Sequence, residues 1–291
     1  MEYLPGGDLY QRLADKGTLP LKEAVAWVAQ AVLAIEDLHA LNIVHRDIKP
    51  ENFLMGKSGT LKLTDFGFAR ELAEGERLFS QFGTPEYVAP EVLNGCGHGL
   101  AVDLWALGVL IYELLVGQTP FKAASVDEMY ERVAAGDYAF PPPPARRSPS
   151  ASKSHSHKVV ASIVGGATGS AGGGGSRRVS KKEALSRAKE LRAEELENGA
   201  QNPAAQALVK SLLRLAPARR PSIAEIKAHP FFAEVNFDAL RAAVRGQADA
   251  DEEEAVVSAA INGGDVWLRE QPVMCLSEDV EDNYGGVFAG F

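Results

Sequence analysis

Between Leu21 and His39 the apolar residues Val25, Val28, Val32, Ile35 and Leu38 recur at intervals of three and four. That spacing predicts an amphipathic helix. Pro20 suits its first turn, where a missing backbone donor costs nothing. Asn42 to Val44 then leads into a polar loop at His45-Arg46-Asp47. Phe53–Met55 and Leu61–Leu63 read as short strands joined by a turn at Lys57-Ser58-Gly59. Ala101–Val116 is apolar nearly all round, which predicts a helix in the middle of a core. The wider run Gly99–Phe121 is not a membrane span, because Asp103 and Glu113 interrupt it at a high cost in lipid.

The pattern breaks at Pro141–Pro144. From Ala145 to Ser176 the chain is rich in Ser, Gly and His and poor in large apolar residues, so disorder is expected. Lys181–Asn198 has the composition of a solvated helix. Order returns at Pro203, with Ala207, Leu208, Leu212, Leu213 and Leu215 as an apolar face. A short helix is expected from Pro221 to His229, with Ile223 and Ile226 inward and Pro230-Phe231-Phe232 closing it. The expected organisation is a globular unit over 1–140, an insertion over 141–201, the end of the unit over 202–240, and an acidic tail over 241–291.

A formal charge of −9 argues against a nucleic-acid binder and leaves room for a cationic partner. Cys96 and Cys275 form no disulfide framework and no metal spacing, which favours a reduced, intracellular setting: the cytoplasm, with the nucleus as a second place. Met1-Glu2 and the nearby Gly6-Gly7-Asp8 do not read as a signal peptide.

The chemistry lies in His45-Arg46-Asp47-Ile48-Lys49-Pro50-Glu51-Asn52, then Asp65-Phe66-Gly67, then Ala89-Pro90-Glu91. Phosphoryl transfer needs an aimed nucleophile and neutralised phosphate charge. Asp47 is placed to orient a hydroxyl, Lys49 to put a cation on the phosphate, and Asn52 and Asp65 to offer oxygens to Mg²⁺. Alone, an Asp-x-Lys-x-x-Asn stretch is a charged turn. In this order, the three motifs are the signature set of protein kinases.

The chain therefore resembles the large lobe of a eukaryotic Ser/Thr protein kinase. Asp47-Ile48-Lys49 marks the Ser/Thr type. Asp65–Arg70, Gly83–Glu91 and Val102–Val109 resemble the AGC group, and within it the cyclic-nucleotide-dependent kinases. The resemblance covers Met1 to about Pro141 and Asn202 to about Leu240. It implies a mainly α (α+β) fold, a helical bundle with short β-hairpins, and ATP and Mg²⁺ as cofactors. Met1 would be the gatekeeper, and Glu2 to Leu4 the hinge at the adenine, with Leu54 beneath the ring and Thr64 also touching the nucleotide. Thr84 would contact Asp47 and Lys49. Glu91 would pair with Arg220, and Asp103 would anchor the catalytic loop. Ser80 would be an activation-loop phosphosite read by Arg46 and served by an upstream activating kinase. Asp8, Glu51 and Glu113 would receive basic residues that precede Ser or Thr in protein substrates, with Asp8 equally suited to the ribose.

Three departures accompany the resemblance. Too few residues precede His45 for the Gly-rich loop, strand lysine and helix glutamate, so the small lobe is expected to be missing. A truncated gene model is the economical account and a lobe-less protein the alternative. The 145–201 stretch has no family counterpart at that length, and it carries Arg177-Arg178-Val179-Ser180, two arginines before a serine. Phe288-Ala289-Gly290-Phe291 resembles the Phe-x-x-Phe motif that ends some AGC chains. The expected function is basophilic Ser/Thr phosphorylation, with this stretch alone inactive. The alternative is a pseudokinase or peptide-binding scaffold without turnover.

Overall fold

The computed structural model describes residues 4–56, 59–80, 83–142 and 199–244. The readings made for Met1, Glu2, Lys57-Ser58, the 145–198 stretch with Ser180, and the tail beyond 244 lie outside these residues.

Helix α1 spans Leu9–Lys16 and α2 spans Leu21–Ala40. Short strands follow: β1 (Ile43–Val44), β2 (Phe53–Met55), β3 (Leu61–Leu63) and β4 (Arg70–Glu71). Then come α3 (Pro90–Leu93), α4 (Ala101–Val116), α5 (Val126–Ala135), α6 (Pro203–Leu212), α7 (Ile223–Lys227) and α8 (Phe237–Val244). The strands form two antiparallel pairs, β1 with β4 and β2 with β3. The described residues are thus mainly helical, as expected, with one short hairpin (β2–β3) and a second pair, β1–β4, whose strands are not consecutive.

Helix α4 is the axis. Every residue from Val102 to Tyr112 is buried, because apolar side chains on all faces leave none for water. Its close approach to α6 depends on Gly108, where a Cβ would lie 2.9 Å from Leu212 Cβ. Trp105 stacks on Phe121 with ring centroids 5.5 Å apart. Helix α2 packs on α4 and on β3. Gln30 joins it to the hairpin: its side chain accepts from Leu61 N (2.7 Å) and donates to Gly59 O (3.3 Å).

Several local expectations change. Pro20 is the cap that precedes α2. On α6 the buried face is Ala205, Leu208, Val209 and Leu212, whereas Ala207 is exposed. Positions 205, 208, 209 and 212 share one helical face, and 207 lies about 100° away from 208. Leu213, the residue that caps the helix, is buried as expected, but Leu215, two residues further on, is exposed. The short helix begins at Ile223 and not at Pro221, since Ser222 and Glu225 close a reciprocal capping box. Helix α8 runs on to Val244, past the boundary expected at 240.

The insertion boundary also shifts. Ala200 is buried, and Gln201 Nε2 donates to Pro141 O at 2.6 Å. Residues 199–201 therefore belong to the body, with Gln201 beside Pro141. Loop-closure cost grows only slowly with length. Replacing residues 143–198 with a short Gly-Ser linker should shift the thermal midpoint by no more than a few degrees. A collapse of the melting transition would show that the excised residues are part of the core.

Candidate active site

Residues 45–52 are held between β1 and β2, and Asp103 of α4 fixes their start. Its fully buried carboxylate accepts from Arg46 N through Oδ1 (2.8 Å) and from His45 N through Oδ2 (2.9 Å). Arg46 has φ 70°, a left-handed conformation that costs a side-chain-bearing residue roughly 1–3 kcal/mol. The two bonds to Asp103 offset that cost. His45 Nδ1 accepts from Asp47 N at 3.3 Å, so its Nε2–H donates to Thr64 O at 3.1 Å. One imidazole thus ties the Asp47 backbone to the residue before Asp65.

Asp47 is buried, yet every nearby polar group favours its ionised form. Oδ1 accepts from Thr84 Oγ1 (3.0 Å) and Thr84 N (3.3 Å). Oδ2 accepts from Asn52 Nδ2 (3.0 Å) and lies 2.9 Å from Lys49 Nζ. Lys49 also donates to Thr84 Oγ1 at 2.9 Å. Burial pushes the carboxyl up, but Lys49, Asn52 and Thr84 together outweigh it and hold the group below its ordinary value.

Asn52 donates a second bond to Asp47 O (2.7 Å), and its own carbonyl accepts from Thr64 N (2.8 Å) and Oγ1 (3.1 Å). The β2–β3 register, Phe53 opposite Leu63, thereby brings Asn52 beside the strand end that carries Asp65. Asp65 is exposed with φ 59°, and its carboxylate accepts from Gly67 N at 3.2 Å. One carboxylate and one amide oxygen suit Mg²⁺, which takes few protein ligands and completes its shell with water and phosphates. No group of three or more His, Cys, Asp or Glu that could hold a metal occurs among the described residues.

Leu4 is half-buried. The chain after it lies along β2: Gly6 N donates to Met55 O (3.0 Å), Met55 N to Gly7 O (2.9 Å), and Asp8 bridges Leu54. Asp8 and Leu54 are therefore neighbours. One Asp8 oxygen is committed to capping α1 through Gln11 N at 2.7 Å. Glu113 is half-buried and accepts from the Tyr87 hydroxyl. Burial leads in pushing its carboxyl up to about 7, and the charges of Glu51 and Glu86 add to it against Tyr87 and Lys122. Tyr87 and Glu86 were not singled out in the sequence; a hydroxyl and a carboxylate four and five residues ahead of Glu91 carry no signal until α4 stands beside them.

The exposed Ser80 accepts from Arg46 Nη1 at 3.2 Å, while Arg46 Nε donates to Phe68 O at 2.6 Å. Two residues earlier, Leu78 exchanges two backbone bonds with His98 (2.9 and 2.8 Å). Glu91 and Arg220 form a buried two-bond pair at 2.6 and 2.7 Å. Arg220 also donates to Ala101 O and Arg214 O and covers the Trp105 ring. The structure thus brings together Asp47, Lys49, Asn52, Thr64 and Thr84, then Arg46 with Ser80, and Glu91 with Arg220.

A backbone-anchored aspartate with a lysine and threonine on its carboxylate, next to a second strand-end aspartate, is the arrangement of a phosphotransfer fold. The protein kinase domain description matches residues 1–232, and the chain belongs to the protein kinase family. It is 47% identical over 141 residues to the human "Putative serine/threonine-protein kinase PRKY", covering 48% of this chain and 50% of that protein. It is equally identical over 141 residues to the human "cAMP-dependent protein kinase catalytic subunit PRKX", covering 48% of this chain and 39% of the relative. The "cAMP-dependent protein kinase catalytic subunit" of Dictyostelium discoideum is 45% identical over 140 residues, covering 48% and 21%. The chain spans half or less of the length of these curated relatives. The likeness to AGC-type kinases read from the motifs agrees with these matches. No helix among the described residues is long and apolar enough to cross a membrane.

The Glu113 environment has a stability consequence. In the folded state the Glu113 carboxyl is pushed up to about 7, from an ordinary value of about 4.5. Between those pH values the folded state binds more protons than the unfolded state, so this group's contribution to stability falls as pH rises through that window. Glu113→Gln should flatten this part of the pH dependence and make the variant more stable than wild type at pH 8. Urea denaturation at pH 5 and pH 8 measures it, and equal slopes for both proteins would refute the assignment.

Proposed function

We propose that the intact protein transfers the γ-phosphoryl group of ATP to Ser or Thr of protein substrates. The observation that carries this reading is Asp47, an ionised acid whose two oxygens are fixed by Thr84, Asn52 and Lys49. It would accept a hydrogen bond from the substrate hydroxyl and aim its oxygen at the phosphorus. Lys49, held between Asp47 and Thr84, would lend positive charge to the transferring group. Asn52 and Asp65 would hold Mg²⁺, which neutralises phosphate charge when bound. Leu54, Thr64, the segment around Leu4 and, outside the described residues, Met1 and Glu2 would meet the nucleotide.

Basic residues ahead of the target Ser or Thr would dock on Glu51 and Glu113 by charge complementarity. Asp8 would contribute its second oxygen there or at the ribose. Ser80 would be phosphorylated by an upstream kinase, adding roughly −1.5 to −2 charge units beside Arg46. Arg70 already depresses the Arg46 guanidinium by like-charge repulsion, after burial as the larger cause, so an anion at Ser80 would relieve both cations. An intracellular setting follows from this substrate class and from ATP.

In a chain carrying small-lobe residues, Asp65→Ala should abolish Mg²⁺-dependent turnover. Asp47→Ala should lower kcat by about a hundredfold or more while leaving the KM for ATP within a few-fold. Steady-state kinetics on a peptide with arginines before serine is the measurement. Near-normal kcat in the Asp47 variant would remove the catalytic assignment, and peptide binding without any turnover would favour the scaffold.

Phosphoserine installed at position 80 should raise activity and protect the segment around it from proteolysis, relative to Ser80→Ala. Equal activity and equal protection would eliminate the switch.

A further inference from the structure

We infer that Glu23 is a positioning residue that fixes α1, through Arg12 and Lys16, and so aims Asp8 at a cationic substrate side chain; this rests on the reading of Asp8 as an acid that receives basic residues. Glu23 lies in the first turn of α2, and its side chain is 5% exposed. Its Oε1 accepts from Arg12 Nε at 2.6 Å and its Oε2 from Lys16 Nζ at 2.7 Å. Each oxygen thus holds a different cation of α1.

Arg12 and Lys16 are four positions apart, so they stand one above the other on the same side of α1. Two bonds at two heights along a helix resist both sliding and rolling, where a single bond would leave a pivot. Leu9 and Leu13 are buried and hold α1 down on the core, but apolar contact has no direction of its own. The end remote from Asp8 is seated on α4: Leu19 N donates to Leu114 O at 2.8 Å, and a Cβ on Gly117 would lie 2.2 Å from Gly17 O.

At the near end, the backbone around Asp8 is held by β2, but the Asp8 side chain is held by α1. Its Oδ1 accepts from Gln11 N, in the first turn of that helix, at 2.7 Å. A roll of α1 therefore turns the carboxylate and its second oxygen. The acid that shares its field is Glu51. Helix α1 packs on the 50–52 turn. Burial leads in raising the Glu51 carboxyl, and the charges of Asp47 and Asp8 add to the rise. A guanidinium is a rigid planar fork, so it gains from both Asp8 and Glu51 only while the two carboxylates keep one separation and orientation. A buried ion pair adds little stability over an apolar replacement. The contribution of Glu23 is the fixed pose.

The combined variant Glu23→Leu, Arg12→Leu and Lys16→Met keeps the burial and removes the directional bonds. Amide hydrogen exchange on residues 1–291 reads the effect without kinase activity. The Gln11 amide should exchange about tenfold faster than the change in global stability accounts for, while Leu110 in α4 follows global stability alone. Gln11 exchange that merely tracks global stability would overturn the proposal. In a catalytically active chain, the ratio of kcat/KM between a peptide with arginines before serine and the same peptide with alanines there should fall about tenfold. Activity on the alanine peptide and KM for ATP should stay within a few-fold. Adding Asp8→Ala to the combined variant should lower the ratio no further than Asp8→Ala does alone. An unchanged ratio, a further fall in the Asp8→Ala background, or a rise in KM for ATP in its place would overturn the proposal. If the combined variant does not fold, Glu23→Gln, which keeps the size and loses the charge, makes the same comparisons. Absence of any kinase activity would count against the function reading and leave the exchange result to decide whether Glu23 fixes α1.

Discussion

The buried carboxylate of Asp103 is the constraint on which the site depends. A charge buried in the first turn of an otherwise apolar helix is costly, and it is compensated by turning the backbone of the loop at His45 and Arg46 toward it. The same bonds hold Arg46 in a conformation that an isolated peptide would rarely adopt. Core formation and site formation are therefore one event. Helix α4 cannot bury its apolar faces without burying Asp103, and Asp103 cannot be buried without the loop.

A second buried charge joins the sequence-distant halves. Glu91 and Arg220 are 129 positions apart and meet in a two-bond pair, with Arg220 further held by two carbonyls and the face of Trp105. A buried pair of this kind adds little net stability against an apolar replacement, but losing either partner strands the other, at a cost of about 3–5 kcal/mol. Its effect is to specify where the segment carrying Ser80 and Thr84 ends. With Asp103 at one end of the loop system and Glu91 at the other, Thr84 has little freedom over where it meets Asp47.

The cleft sorts its acids by environment. Asp47 is buried among donors and a lysine, so its proton is released more easily than usual. Glu113 is partly buried against a phenol and faces two other carboxylates, so its proton is retained to about pH 7. The same side-chain chemistry therefore gives one carboxyl that ionises readily and another whose charge depends on pH near neutrality, because environment sorts the two.

The motifs, their order and the two long helices were legible in the sequence, because an amphipathic period and an all-apolar run carry their own burial instructions. The pairings of Arg46 with Ser80, Glu91 with Arg220 and Asp103 with the loop were legible only through the family resemblance. Periodicity misplaced Ala207, which sits off the buried face within the helix, and Leu215, which lies past its end; packing and caps decide both. Tyr87 and Gln201 gave no signal at all. Each acts on a group 26 or more positions away, and a residue's neighbours along the chain say nothing of that partner. The sequence by itself determined which chemical groups are available and which segments must be buried. Only the tertiary structure decided which donor meets which buried acceptor, because unmet polar groups are too costly in a core to leave unpaired and the pairing is set by how the helices pack.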